Sequence, residues 1–169
     1  MKLVGDKANN YFTNPDNSHT AILIYGSDTM RVALRRQELL KALIGENAEE
    51  EMRLTRVSGP DLRSDPALLL DGLKASGFFP GPRAVFVEGA TDTNSAIIDA
   101  AMQEWQKGDA VLVLTANQLN ARSKLRKMLE NNNNSIAISI YNDPPNEKEI
   151  ISIASKYNLN NFESDAKKI

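Results

Sequence analysis

A glycine that closes an apolar run and opens onto a helix is a recurring way for a chain to cradle a phosphate, and this sequence holds one such junction. Ala21-Ile22-Leu23-Ile24-Tyr25 runs into Gly26-Ser27-Asp28-Thr29-Met30-Arg31-Val32-Ala33. A loop of the G-x-x-x-x-G-K-[ST] kind needs a second glycine for close backbone approach, a lysine on the β- and γ-phosphates, and a hydroxyl on magnesium. Arg31, Val32 and Ala33 stand at those positions, and Asp28 places negative charge where phosphates would lie. No glycine follows two residues after Gly26, so a dinucleotide fingerprint is also absent. Downstream, Val85-Phe86-Val87 ends in Glu88-Gly89, where a metal-binding aspartate followed by a glutamate would be needed. Gly26, Asp28, Arg31 and Glu88 therefore read as a degenerate nucleotide site that is not expected to bind, with Glu88 a solvated strand-end carboxylate.

Other chemistry fares no better. A phospho-receiver sheet would want an acidic pair after its first strand, an aspartate after the third and a lysine after the fifth. Asp28 is a lone acid, Glu88 is not an aspartate, and Tyr141-Asn142-Asp143 holds no lysine. His19 is the single histidine; it lies in a polar loop with no serine and acid arranged around it, and reads as a surface residue. The absence of cysteine removes disulfides, thiolate metal sites and thiol nucleophiles together, and fits a reducing cytoplasm. The expectation is a chain with no catalytic residues, no metal and no cofactor.

The elements that would position such residues follow from pattern. At 169 residues, with 41% hydrophobic and 25% charged, the chain has material for one α/β domain with a real core. A net charge of −2 gives no general attraction to DNA or to anionic membrane, and no segment reaches the ~20 apolar residues of a membrane span. Cytoplasmic placement is expected. Residues 1–19 are polar and turn-rich, with a short element around Ala8 to Phe12. Ala21–Tyr25 reads as a strand buried on both faces, followed by a helix capped by Ser27 or Asp28 and stopped by Gly45. Met52 to Val57 alternates like a strand near a sheet edge, and Asp65-Pro66 opens a leucine-rich helix that ends by Gly77. Ala84–Val87 is the third strand, Ser95–Trp105 a helix, Ala110–Leu114 the fourth strand, Ala121–Leu129 a basic helix, and Ile136–Ile140 the fifth strand. Such alternation predicts a five-stranded, mostly parallel sheet with helices on both faces. Beyond Asp143-Pro144-Pro145 one amphipathic helix, Glu147 to Tyr157, either docks on this domain or opens a second one.

With catalysis set aside, two surface features stand out. Gly77-Phe78-Phe79-Pro80-Gly81-Pro82 holds two of five phenylalanines between conformationally rigid residues. The rings either cover the core at a helix–strand corner or form an exposed, pre-ordered pair of the kind that anchors a protein interface. Basic residues gather on two helices: Arg31, Arg35, Arg36 and Lys41 on the first, and Arg122, Lys124, Arg126 and Lys127 on the fourth. They are either solvated faces or contacts for an acidic partner or nucleic-acid backbone.

Four segments in this order resemble a known family: Tyr25 to Val32, Glu51 to Arg56, Gly77 to Glu88, and Leu119 to Lys127. Together they look like the delta subunit family of bacterial DNA polymerase III, in its alphaproteobacterial form, over about residues 2–157. The resemblance implies an AAA+-like N-terminal domain with a decayed nucleotide site at 1–142, and at 143–169 the opening of a helical lid domain, so that the chain looks truncated relative to the family. It implies a non-catalytic clamp-loader subunit that binds the beta sliding clamp and helps open it during DNA replication. Other implied partners are the gamma/tau and delta prime loader subunits, with DNA met only through the assembled loader and no membrane. Phe78 and Phe79 match the family's clamp-plugging hydrophobic pair, although the family's familiar version begins with leucine. Leu70, Leu73 and Lys74 are implied secondary contacts. The alternative is an AAA+-type domain that binds nucleotide or nucleic acid with residual ATPase activity.

Overall fold

The computed structural model describes residues 1–141 and Ile151. Its sheet has six parallel strands: β1 (Lys2–Leu3), β2 (Ala21–Tyr25), β3 (Leu54–Ser58), β4 (Ala84–Glu88), β5 (Val111–Ala116) and β6 (Ser135–Ser139). They lie side by side in the order β1-β6-β2-β5-β4-β3. The helices are α1 (Gly5–Thr13), α2 (Thr29–Ile44), α3 (Gly59–Ser64), α4 (Ala67–Lys74), α5 (Ser95–Glu104) and α6 (Lys124–Asn131).

Two cores divide the strands by side-chain parity. Ala21, Leu23 and Tyr25 of β2 join Val85, Val87, Leu112 and Leu114 under α4, α5 and α6, where Leu69, Leu73, Ile98, Leu125 and Leu129 close the layer. Ile22 and Ile24 face the other way, with Phe86, Val113, Ile136 and Ile138, against Tyr11 and Phe12 of α1 and Val32, Leu39, Leu40 and Ile44 of α2. A strand that must be apolar on both faces reads as an unbroken hydrophobic run, which is why β2 and β5 stand out in sequence. β3 sits at the sheet edge with Thr55 and Arg56 exposed, as its alternation implies.

The five-strand expectation is corrected by one strand. β1 is two residues long and pairs with β6 through Lys2↔Ala137 and Leu3↔Ile138, a stretch too short for any periodicity to mark. The strand expected from Met52 begins at Leu54, because Met52 takes a left-handed backbone (φ 56°) at the end of a turn. α3 carries a legible start signal, the reciprocal cap between Ser58 and Asp61. α6 starts at Lys124 behind the Ser123 cap, later than expected and reaching Asn131. The helix expected over 147–157, and with it the second-domain opening at 143–169, falls outside the described residues apart from Ile151.

His19 is not a surface residue. It is 7% exposed, and its Nδ1 shares a 2.8 Å hydrogen bond with the Tyr11 hydroxyl, pinning the loop before β2 to α1. Burial pushes its pKa below the usual 6.5, with Asp16 opposing in part, while burial pushes the Tyr11 hydroxyl up. The folded chain thus holds a neutral ring, whereas the unfolded chain takes up a proton near pH 6.5. Stability from this pair is fully present above that pH and is lost as pH falls through it. Thermal unfolding followed from about pH 7.5 to about pH 5.5 should show a falling melting temperature, and His19→Gln should flatten that decline.

Candidate functional site

Two regions are available for binding, and the parallel sheet puts them at opposite ends. Loops that follow strands gather at the carboxyl edge; the segment leading into β4 lies at the amino edge. A five-residue strand separates the two by roughly 17 Å.

At the carboxyl edge a cleft of about 190 Å³ is lined by Gly26, Thr29, Arg36, Phe86, Glu88 and Asn117, among others. It lies beyond β2, β5 and β4, where open α/β sheets usually take ligands. Pockets that enclose drug-sized ligands are larger, about 300–1,000 Å³. The N-terminus of α2 is moreover already capped by the protein. Asp28 is the N-cap of α2 and its carboxylate accepts from the Arg31 backbone N–H at 3.1 Å. The Arg31 guanidinium lies 3.6 Å from the same carboxylate and donates to the Tyr141 carbonyl at 2.8 Å. The start of α6 is closed likewise: Asp92 accepts from the Ser123 hydroxyl at 2.6 Å and the Leu125 N–H at 3.1 Å, with the Ser123 bond foremost in holding its pKa low. A helix N-terminus capped by a carboxylate repels rather than cradles a phosphate.

Gly26 has a reason of its own to be glycine. A Cβ there would sit 2.7 Å from the Ile140 carbonyl oxygen and 3.1 Å from the Ile140 Cβ, because Ile140, the residue after β6, lies alongside with its N–H donating to the Tyr25 carbonyl at 2.8 Å. The glycine that resembles a phosphate loop in sequence is a packing glycine in the fold. Glu88 is exposed at the end of β4 and lines the cleft. Among the described residues no cluster of three or more His, Asp and Glu side chains is placed to hold a metal.

At the amino edge, residues 75–83 carry the aromatic pair. Phe78 is 92% exposed and Phe79 47%. Large apolar side chains left in water at this level mark a contact surface when their backbone is held in place. Both flanks of this loop are held. On the α4 side, Leu73 is buried at 1% exposure, its carbonyl accepts from the Ala110 N–H at 3.0 Å, and Lys74 pairs with Asp109 at 2.5 Å. On the β4 side, the Arg53 guanidinium, itself buried, donates from Nη1 to the Pro82 carbonyl at 2.8 Å and to the Ile44 carbonyl at 2.6 Å. Its Nε donates to Glu51 at 2.7 Å. Gly81, at φ 128°, turns the loop against this guanidinium in a conformation few side chains tolerate.

The expected contacts therefore separate. Phe78 and Phe79 face solvent together; Leu70 is half-buried; Lys74 is exposed but occupied by Asp109. Leu73 is corrected: it points into the core and supports the corner from beneath, since α4 must turn one leucine row inward to cover β4. Arg53 escaped notice in sequence, where it reads as one more charge in an alternating strand; only its burial reveals it. The basic helices are partly spent internally. Arg35 pairs with Glu38, Lys41 with Glu46 and Arg126 with Glu130, leaving Arg122, Lys124 and Lys127 exposed on or beside α6.

Fold and corner define a doubly wound α/β domain in which carboxylates satisfy the N-termini of α2 and α6 and whose prominent surface feature is apolar. No family model and no curated protein matches the sequence. Among solved structures the chain is similar to the DNA clamp loader delta protein of Bacillus subtilis, with a TM-score of 0.60 and 17% identity over 88% of this chain. The match covers 45% of that protein, so this chain spans less than half its length. At that identity the likeness establishes the fold.

Two substitutions check this geometry. Gly26→Ala should cost about 1–3 kcal/mol of stability in denaturant unfolding, from overpacking against Ile140. Arg53→Met should cost about 2–3 kcal/mol, from carbonyls left unpaired, and should speed amide hydrogen exchange selectively over residues 75–83.

Proposed function

We propose that this chain is the clamp-binding N-terminal part of a clamp-loader delta subunit of bacterial DNA polymerase III, with Phe78 and Phe79 inserted into a pocket on the beta sliding clamp. The observation that carries the reading is an aromatic pair standing in solvent on a loop fixed at both ends. Such an anchor loses little conformational freedom on binding, so most of the apolar area it buries counts towards affinity. The clamp-loader delta protein that shares this fold supplies the class of partner.

The subunit acts mechanically and is not itself an enzyme. It favours an opened ring only to the extent that it binds the open clamp better than the closed one. Energy for the cycle comes from ATP held by the gamma/tau subunits, which with delta prime complete the loader; DNA is met within that assembly. Residues 1–142 are the clamp-binding part in this reading.

The rival reading, a nucleotide-binding domain with residual ATPase activity, has the location of the cleft in its favour. Asp28 on the α2 N-terminus and the cleft's small volume stand against it. A nucleic-acid module would have to rest on Arg122, Lys124 and Lys127, a small set of free cations on a chain of net charge −2.

Replacing both rings, Phe78→Ala with Phe79→Ala, should weaken binding to the cognate beta clamp by about 100- to 1,000-fold, since such anchors contribute about 2 kcal/mol each. The melting temperature should stay within about 2 °C, because the rings leave no core cavity. Unchanged clamp affinity, or a chain that no longer folds, would remove the assignment; micromolar ATP binding by the intact chain would favour the rival.

A further inference from the structure

The amino edge carries a third large apolar side chain, on a backbone whose conformation its residue type resists. Met52 is 66% exposed and, among the described residues, is the one non-glycine with a left-handed backbone (φ 56°). Two hydrogen bonds fix it there. The Arg53 N–H donates to the Ala48 carbonyl at 2.7 Å, and the Met52 N–H donates to the Glu49 carbonyl at 3.1 Å. A bond spanning six residues around one spanning four is the Schellman arrangement, and its left-handed position is ordinarily glycine because a Cβ is unfavourable there. The turn has a clear purpose, since it swings Arg53 inwards to reach the Ile44 and Pro82 carbonyls. None of these bonds uses the Met52 side chain, so glycine at 52 would serve the fold at least as well. Left-handed non-glycine residues of this kind gather at ligand clamps and binding surfaces, where the side chain has work outside the fold.

Arg53 also ties Met52 to the aromatic corner. A Cβ on Gly81 would meet the Arg53 Cδ, Nε and Cζ at 3.4 Å, and the Arg53 carbonyl accepts from the Ala84 N–H at 2.9 Å. One chain step separates Met52 from Arg53 and two separate Phe79 from Gly81, so at about 3.8 Å per step Met52 lies within roughly 20 Å of Phe79. A stable protein contact covers about 800 Å² on each partner, a patch roughly 30 Å across. Met52 falls inside a footprint centred on the rings. We propose that Met52 is a third anchor of the surface formed by Phe78 and Phe79, lying against the beta sliding clamp at the margin of the contact; this rests on the clamp-binding reading above. The residue type suits that place. The rings are rigid and demand a pocket of fixed shape, whereas an unbranched thioether chain moulds itself to an irregular apolar surface beside that pocket.

The test measures affinity for the cognate beta clamp and melting temperature together, on the full chain. Met52→Gly should weaken clamp binding about tenfold while leaving the melting temperature unchanged or raising it by up to about 4 °C, as the left-handed strain is relieved. Met52→Leu, which keeps an apolar side chain of similar volume, should bind within about threefold of the unsubstituted chain. A second readout needs no substitution. Hydrogen peroxide converts exposed methionine to its sulfoxide, and Met30, 69% exposed in the first turn of α2 at the opposite edge, is an internal control. Saturating clamp should slow Met52 oxidation at least about fivefold, read by peptide mass spectrometry, and leave Met30 unchanged. If the clamp binds and replacing both rings abolishes binding, but Met52→Gly binds as tightly as the unsubstituted chain, the Met52 inference alone is overturned. Equal Met52 oxidation with and without clamp, or equal protection of Met30, overturns it in the same way. A lowered melting temperature or loss of folding in Met52→Gly makes Met52 a packing residue and also overturns it. An unsubstituted chain that does not bind clamp, or binding indifferent to both rings, removes the clamp reading and this inference with it.

Discussion

The molecule depends on burying β2 from both sides. Five consecutive apolar residues, Ala21 to Tyr25, pair with β5 on one flank and β6 on the other, so every side chain on the strand is enclosed by helices. A parallel sheet built around such a strand cannot join neighbours with tight hairpins; each connection must cross the sheet through a helix. Two consequences follow for function. All post-strand loops gather at one edge and all pre-strand loops at the other, and the helices are committed to covering the sheet, which leaves binding to the edges.

At the carboxyl edge, the place where this architecture usually takes nucleotides has been turned to structural ends. Asp28 and Asp92 supply from within the chain the negative charge that a bound phosphate would supply to α2 and α6. Ile140 packs so closely beside Gly26 that a Cβ there would meet its carbonyl oxygen at 2.7 Å. Beside α2 lies a cleft of about 190 Å³ that Arg36 helps to line.

At the amino edge the physics is reversed. Water-exposed phenylalanine is unfavourable, and an unconstrained loop would tend to fold such rings inwards. Leu73, Lys74 and Arg53 hold the flanks of residues 75–83 so that the rings stay outward. Arg53 matters most here because one buried guanidinium ties the end of α2, the turn at Glu51 and the loop at Pro82 together. The left-handed backbone at Met52 accompanies this inward turn of Arg53.

Much of this was legible in the sequence. The central strands announce themselves as unbroken apolar runs, and the Gly45 stop and Asp28 cap mark α2. These are local properties, set by side-chain type and nearest neighbours along the chain. Four matters were decided by tertiary structure alone. β1 exists because β6 lies beside it, His19 is buried because Tyr11 reaches it, and Leu73 is core rather than contact because of how α4 is turned. The fourth is the choice for Phe78 and Phe79 between core and solvent. Sequence left it open, since burial depends on which surfaces the remote chain has already covered; in the fold both rings stay exposed while Arg53 ties the Pro82 end of their loop to the end of α2.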